Sequence, residues 1–206
     1  RKLFIDNNNR LWIVKNNANH SRSWIEFDKT TKEPVREYKF PIEKDLNTYP
    51  FVSDMWQDAQ GVFWFGTIQG LFSFNEKKNE WHQWKNIPNN NASLSGDMIF
   101  SLCPDVSEPG KYLWIGTNGN GLNRFEYATG KCIRYTEADG LPNNVVYSML
   151  NDNAGNLWLS TNNGLSCMLS GKDFRNFTTD DGLPGNEFNR YEKLKLSSGE
   201  LLFGGV

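Results

Sequence analysis

Residues 152–161 read Asp-Asn-Ala-Gly-Asn-Leu-Trp-Leu-Ser-Thr. The first four residues have the chemistry of a tight turn, because Asp accepts hydrogen bonds from turn backbone and Gly tolerates a left-handed conformation. The run that follows is apolar on both faces, as expected of a central strand that is covered on both sides. The stretch predicts a turn that leads into a buried strand with a tryptophan in its middle.

The same pattern of turn and strand recurs along the chain. Its central position falls on Trp12, Trp64, Trp114, Trp158 and Leu202, at spacings of 52, 50, 44 and 44 residues. A period of about 40 to 50 residues is what one four-stranded blade of a β-propeller requires. Because blades pack face to face, a large flat side chain on a middle strand fills the space between neighbouring sheets. We therefore expect the four tryptophans to be buried between blades.

The repeats predict an all-β array of about four and a half propeller blades, each a four-stranded antiparallel sheet. Closed propellers have about 4 to 8 complete blades, so we expect the chain to be a fragment of a longer propeller. Inner turns join strands two and three, and crossings join one blade to the next. The predicted blades span approximately residues 1–49, 50–97, 98–143 and 144–186, with a partial blade at 187–206.

The composition agrees with strands and turns and limits the partners. The 206 residues include 8 Trp, 14 Phe, 7 Tyr and 18 Gly. The net charge is −2, from 22 basic and 24 acidic residues, so no strong field attracts a nucleic acid or an anionic bilayer. No apolar run approaches the roughly 20 residues of a membrane helix. We expect no nucleic acid partner for this segment, and membrane contact only through a part of the protein outside it.

Residues with the chemistry of a catalytic or metal site are scarce. The three cysteines, Cys103, Cys132 and Cys167, form no CxxC pair and are predicted to be buried small hydrophobes. Only two histidines are present, and no acidic run has the ligand spacing of a calcium loop. We therefore predict no catalytic residues, no metal and no cofactor, and no enzyme activity for this segment.

Three segments together resemble one known family. They are residues 152–161, residues 113–125 (Leu-Trp-Ile-Gly-Thr-Asn-Gly-Asn-Gly-Leu-Asn-Arg-Phe) and residues 139–145 (Asp-Gly-Leu-Pro-Asn-Asn-Val). The combination resembles the two-component regulator propeller repeat, and the resemblance covers essentially the whole chain. The chain departs from the family's pattern at Ile13-Val14, which stand in place of the usual Gly-Thr, and at the irregular turn 105–111.

The resemblance implies the periplasmic sensor region of a hybrid two-component system histidine kinase, an inner-membrane protein. In that family two propellers precede a β-sandwich, a membrane helix and the kinase. The implied ligand is an oligosaccharide from polysaccharide breakdown, and the implied output is a signal to the cytoplasmic histidine kinase. We expect the signal to pass through altered association of two copies, and hence a homo-oligomer.

Two other functions fit the same architecture. One is a protein-interaction scaffold without a small-molecule ligand, since the fold alone does not determine function. The other is a propeller glycosidase or lyase. A glycosidase needs two carboxyl groups that face each other across about 5 to 10 Å, and the sequence singles out no such pair.

Ligand-binding candidates come from the face on which the inner turns and the crossings are expected to meet. Amides there offer donors and acceptors to sugar hydroxyls, although Asn is also common in turns for conformational reasons. Aromatic residues outside the repeat can stack on a sugar ring, although each can equally pack in the core. The candidates are Trp24, Trp56, Asn118, Asn120, Asn162, Asn163, Asn186, Asn189, Arg190 and Tyr191.

Overall fold

The structure is a computed structural model that describes residues 2–16, 22–41, 51–169 and 173–206. These residues form 18 strands and two single-turn 3-10 helices, at Glu137–Asp139 and Thr179–Asp181. The strands make four sheets of four strands and one sheet of two, and strands that follow one another within a sheet pair antiparallel. The predicted all-β propeller architecture is confirmed.

Each sheet keeps the order of the chain. The first contains β1 (Lys2–Ile5), β2 (Leu11–Asn16), β3 (Arg22–Phe27) and β4 (Pro34–Lys39). The second contains β5 (Val52–Gln57), β6 (Phe63–Thr67), β7 (Gly70–Asn75) and β8 (Glu80–Trp84). The third contains β9 (Ile99–Pro104), β10 (Tyr112–Thr117), β11 (Leu122–Glu126) and β12 (Cys132–Tyr135). The fourth contains β13 (Val146–Asn151), β14 (Leu157–Thr161), β15 (Gly164–Leu169) and β16 (Asp173–Phe177), and the fifth β17 (Phe188–Lys195) and β18 (Leu201–Gly205).

Three of the repeated tryptophans are buried between consecutive sheets, as predicted. Trp12 has no exposed surface, and its ring lies 5.1 Å from that of Phe63 in the second sheet. The Trp64 ring lies 5.6 Å from that of Phe125 in the third sheet. Trp114 is buried in a cluster with apolar residues of the fourth sheet. These contacts join each sheet to the next through one side chain per repeat.

Trp158 differs from the other three because it is only half-buried. It faces the two-stranded fifth sheet, and a cavity of about 300 Å³ remains beside it, lined in part by Leu201 and Phe203. The ring over Trp64 comes from β11, the third strand of its neighbouring sheet. The described part of the fifth sheet has no third strand, so Trp158 keeps some exposed surface.

A hydrogen bond ties most of these tryptophans to the turn before the strand. An aspartate at the start of the turn accepts from turn backbone through one carboxylate oxygen and from the indole N–H through the other. In the third repeat the turn is longer, and Asp105 instead accepts from the Arg124 side chain at 2.6 Å. The indole bonds run from Trp12 to Asp6 at 2.9 Å, from Trp64 to Asp58 at 2.8 Å and from Trp158 to Asp152 at 3.0 Å.

The inner turns are hydrogen-bonded to the crossings. In the third sheet the Thr117 hydroxyl closes the turn by donating to the Gly121 carbonyl at 2.7 Å, and the Gly121 N–H donates to the Asn144 carbonyl of the crossing at 2.8 Å. Gly121 has φ +75°, and a Cβ there would lie 2.1 Å from the Tyr135 carbonyl oxygen. The bonds recur at Thr67, Gly70 and Asp97 and at Thr161, Gly164 and Asn186. Inner turns and crossings therefore share one face, as predicted.

The three cysteines lie in the core, which confirms the prediction for Cys103, Cys132 and Cys167. Burial raises the pKa of the Cys103 thiol to about 12. A thiol with such a pKa is protonated at neutral pH and is a poor nucleophile. Cys103 is therefore a packing residue.

Replacing Gly121 by Ala is expected to lower the free energy of unfolding by about 3 kcal/mol or more, because a left-handed alanine is strained and its methyl group collides with backbone. Gly119→Ala is the matched control. Gly119 also has a positive φ, +84°, but a Cβ there meets nothing within 4 Å, so strain alone costs about 1 kcal/mol. Chemical denaturation measures both, and equal losses would contradict the proposed clash at Gly121.

Candidate functional site

The first strands of the sheets line the centre of the array, where β5, β9, β13 and β17 each contact the next. Near its beginning each of these strands breaks register with the second strand of its sheet. The break leaves one extra residue in three of them: Ser53, Phe100 and Tyr147. A β-bulge of this kind redirects a side chain away from the regular pleat. The residue at the bulge therefore differs between the sheets around the central opening, where Ser53 and Phe100 are buried and Tyr147 is partly exposed.

In β17 the break is longer and covers residues 189–192. Within it Tyr191 has φ +69°, in the left-handed region that favours glycine. A bulky residue in this conformation is a strained feature of the kind that clusters at functional sites. The break brings Arg190 and Tyr191 to the central opening.

Aromatic rings and polar groups meet at this opening. The rings of Phe100 and Tyr147 stack at 5.9 Å with an interplanar angle of 14°. The Tyr147 hydroxyl donates to the Asn162 side-chain oxygen at 3.1 Å, and the Arg190 guanidinium lies 5.0 Å from the Phe100 ring centre. Tyr191 lies 6.0 Å from Phe51, and both rings are about 40 % exposed. We call these residues the mouth cluster: Phe51, Phe100, Tyr147, Asn162, Arg190 and Tyr191.

A buried ionic group lies next to the mouth cluster. The Asp54 carboxylate on β5 receives Lys193 Nζ of β17 at 2.7 Å and Lys2 Nζ of β1 at 3.1 Å. It also accepts the backbone N–H of Leu102 at 3.0 Å. Burial alone raises the pKa of Asp54, but the two ammonium groups outweigh it and hold the pKa at about 2. The carboxylate is ionised at neutral pH and joins the inner strands of the first, second, third and fifth sheets.

The structure brings three of the predicted candidates, Asn162, Arg190 and Tyr191, into one cluster. Sequence reasoning missed Phe100 and Tyr147 because a bulge that redirects a side chain leaves no signal in the alternation of the strand. It also missed Phe51, which lies just before β5 and outside the repeated pattern.

The remaining amide candidates take part in turn and crossing contacts. The Asn186 side-chain oxygen accepts from the Thr179 N–H at 2.9 Å, within a crossing. The half-buried Asn189 donates to the Gly205 carbonyl at 3.5 Å. Side-chain amides on the exposed inner turns of the third and fourth sheets are also engaged: Asn118 donates to the Met98 sulfur at 2.9 Å and Asn163 to the Pro142 carbonyl at 3.3 Å. Asn120 is exposed on the same turn as Asn118.

The two tryptophan candidates lie away from the mouth cluster. Trp24 has no exposed surface and stacks on Trp12 at 4.8 Å, with the rings 8° from parallel. A ring without exposed surface cannot stack on a ligand, so the expectation for Trp24 is corrected to a core role. Trp56 is half-buried and packs against the cluster around Trp64, between the second and third sheets.

The described residues contain no group of three or more His, Cys, Asp or Glu side chains placed to hold a metal ion. Within the same residues, none of the helices has the length and apolarity needed to cross a bilayer.

Comparison with known proteins identifies the repeat. A family model described as two component regulator propeller matches residues 140–163, which include the turn and strand at 152–161. The chain carries two-component regulator propeller repeats. It is also 33% identical to Histidine kinase P4 of Formosa agariphila over 231 aligned positions, which cover 87% of this chain and 16% of that protein. The chain thus corresponds to a small part of this relative's length.

Solved structures share the fold at low sequence identity. The extracellular domain of a B. thetaiotaomicron protein assigned to the hybrid two component systems superposes with a TM-score of 0.74 at 17% identity, over 98% of this chain and 28% of that one. Virginiamycin B lyase of Staphylococcus aureus superposes with a TM-score of 0.68, also at 17% identity, over 99% of this chain and 62% of that one. At these identities the likeness shows the propeller fold alone. The regulator repeats and the lyase therefore share an architecture.

Replacing Asp54 by Asn is expected to lower the free energy of unfolding by about 2 kcal/mol at pH 7, because two ammonium groups lose their charged partner. The stability that Asp54 contributes is present above its unfolded pKa of 3.8 and is lost as the pH falls through about 2. The difference between the two proteins should therefore shrink between pH 4 and pH 2. Denaturation at several pH values measures it, with Asp180→Asn on an exposed crossing as the control. A difference that stays constant down to pH 2 would argue against the ionic role.

Proposed function

We propose that this chain is the ligand-sensing propeller region of a hybrid two-component regulator. The ligand is an oligosaccharide released by polysaccharide breakdown, and it binds at the mouth cluster. Ligand binding alters the association of two copies of the protein, and this change signals to the cytoplasmic histidine kinase in the same protein. The chain lies outside the cytoplasm in this arrangement, on the periplasmic side of the inner membrane.

The observation that carries the proposal is the chemistry of the mouth cluster. Tyr191 and Phe51 offer partly exposed aromatic faces, on which the apolar face of a sugar ring stacks. Asn162 and Tyr147 belong to the same cluster and supply hydrogen-bonding groups for hydroxyls. A site of this kind, apolar with a few placed polar groups, is typical of small-molecule recognition.

The comparisons support the regulatory setting. The relative from Formosa agariphila is a histidine kinase, and the structural neighbour from B. thetaiotaomicron is an extracellular domain. When the receptor region and the kinase lie on opposite sides of the membrane, a structural change has to carry the signal between them. Asp54 connects four of the inner strands, and its partner Lys2 lies 5.2 Å from the Tyr191 ring, so a ligand at the mouth cluster binds close to the group that joins these strands.

Catalysis is the weaker alternative for this segment. A lyase shares the architecture, but architecture does not carry a reaction with it. His82, the histidine among the described residues, is exposed on the outer strand β8, away from the mouth cluster. Asp54, the buried carboxylate at the centre, is engaged by two lysines and a backbone N–H, which does not suit a general acid.

Tyr191→Ala is expected to weaken oligosaccharide binding by about tenfold, because it removes an aromatic stacking face worth about 1.4 kcal/mol. Titration calorimetry with a glycan that binds the unmodified protein measures the change. His82→Ala removes an exposed aromatic ring from an outer strand and should leave the affinity within twofold. Unchanged affinity in the Tyr191 variant would remove the mouth cluster as the sugar site.

Incubation of the purified protein with the same oligosaccharides is expected to release no new reducing ends and no unsaturated products. Reducing-end assays and absorbance near the unsaturated uronate band follow the two reactions separately. Steady turnover that scales with protein concentration would favour the glycosidase or lyase function over the sensor.

A further inference from the structure

We propose that the mouth cluster selects acidic oligosaccharides, with the carboxylate or sulfate group of the sugar bound by the Arg190 guanidinium. The inference rests on the proposed function and adds the chemical class of the ligand. It is carried by the local balance of charge, by the way Arg190 is held and by the neutral groups beside it.

Cations outnumber anions at the centre of the array. Lys2, Lys193 and Arg190 all reach the inner strands, and the one carboxylate they meet there within the described residues is Asp54. Asp54 is already shared by the two lysines, at 3.1 and 2.7 Å. The centre therefore keeps an excess positive charge, although the whole chain has a net charge of −2. A local field of one sign attracts ligands of the opposite sign.

Arg190 is the cation in this group that is open to a ligand. Its side chain is exposed, and it forms no ion pair with a carboxylate of the described residues. The nearest acid on its own strand, Glu192, is directed elsewhere. Its side chain accepts from Asn189 at 3.3 Å, and its Oε2 would lie 2.1 Å from a Cβ built on Gly204 of β18. Glu192 thus covers the neighbouring strand and does not neutralise the guanidinium.

The Arg190 guanidinium packs against an aromatic ring. Its centre lies 5.0 Å from the ring of Phe100, and Phe100 is itself 3% exposed and stacked on Tyr147. A guanidinium next to an aromatic ring keeps its N–H groups for a planar acceptor, and a carboxylate or a sulfate accepts two of them at once. The cost of ordering a long side chain on binding is reduced because the ring already restrains it.

Neutral groups beside Arg190 complete the site for a sugar. The Tyr147 hydroxyl donates to the Asn162 side-chain oxygen, which leaves the Asn162 amide nitrogen to donate to a sugar hydroxyl. Tyr191 and Phe51, also in the mouth cluster, provide the apolar faces. An acidic sugar presents these three features together: an anionic group, hydroxyls and an apolar ring face.

The experiment compares acidic and neutral ligands on the unmodified protein and on an arginine variant. An array of neutral, uronate-containing and sulfated oligosaccharides identifies the ligands. A galacturonate tetramer and its methyl ester serve as a pair in which each carboxylate is replaced by a neutral ester of the same sugar. Arg190→Met removes the charge and keeps an apolar side chain over Phe100. Arg175→Met is the matched control, because Arg175 also lies 5.0 Å from an aromatic ring, that of Phe177, but on the outer strand β16.

We expect binding in the acidic arms, a loss of at least tenfold in Arg190→Met, and affinity within twofold in Arg175→Met. The uronate and sulfate arms show which anionic group is recognised, and added salt should weaken binding of either. Binding confined to neutral glycans, with no effect of Arg190→Met, would overturn the acidic preference and leave the proposed sensor function standing. No binding in any arm would overturn both the acidic preference and the proposed sensor function. Denaturation midpoints verify that each variant is folded, and Arg190→Lys, which keeps the charge without the planar fork, should bind with intermediate affinity.

Discussion

A tryptophan that spans the gap between two sheets is the contact on which this structure depends. Each sheet presents an apolar face to the next, and burying one large side chain there stabilises the fold by about 2–3 kcal/mol. The indole also carries an N–H, and a buried donor without a partner costs about 1–3 kcal/mol. The turn aspartate meets that requirement in three repeats, at 2.8 to 3.0 Å. The aspartate and the tryptophan together therefore join the turn to its strand, and the tryptophan joins that strand to the neighbouring sheet.

The first strands also contribute to the core, through residues such as Met55, Ile99 and Met149, but their bulged positions do not follow the repeat. The bulged position is Ser53 in one sheet, Phe100 in the next and Tyr147 in the third. A repeated scaffold with an unrepeated centre is what a binding site on a propeller needs, because a ligand requires a single arrangement of groups and not a symmetric one. Arg190 and Tyr191 extend this variation, in a strand whose register breaks over several residues. The mouth cluster thus consists of residues that do not follow the repeat.

The repeat could be predicted from the sequence because it depends on local patterns. The turn at 152–155, the tryptophan strand and the crossing at 139–145 each show their chemistry within about ten residues. The candidate site could be predicted only in part. Arg190 and Tyr191 stood out because they depart from the repeat, whereas Phe100 occupies an ordinary strand position and is displaced by a bulge. The contact between Asp54 and Lys193 joins residues that are 139 positions apart, and only the closing of the array brings them together. Trp24 also departs from the repeat, yet it packs on Trp12 in the core, so departure from a repeat does not by itself indicate a ligand.

The central claim is that the unrepeated residues at the inner strands form the ligand site, and a crystal structure with a bound oligosaccharide tests it most directly. We predict electron density for a sugar residue in contact with Arg190 and with the ring of Phe51 or Tyr191. Density confined to the outer strands, or to the opposite face at the aspartate turns, would contradict the claim.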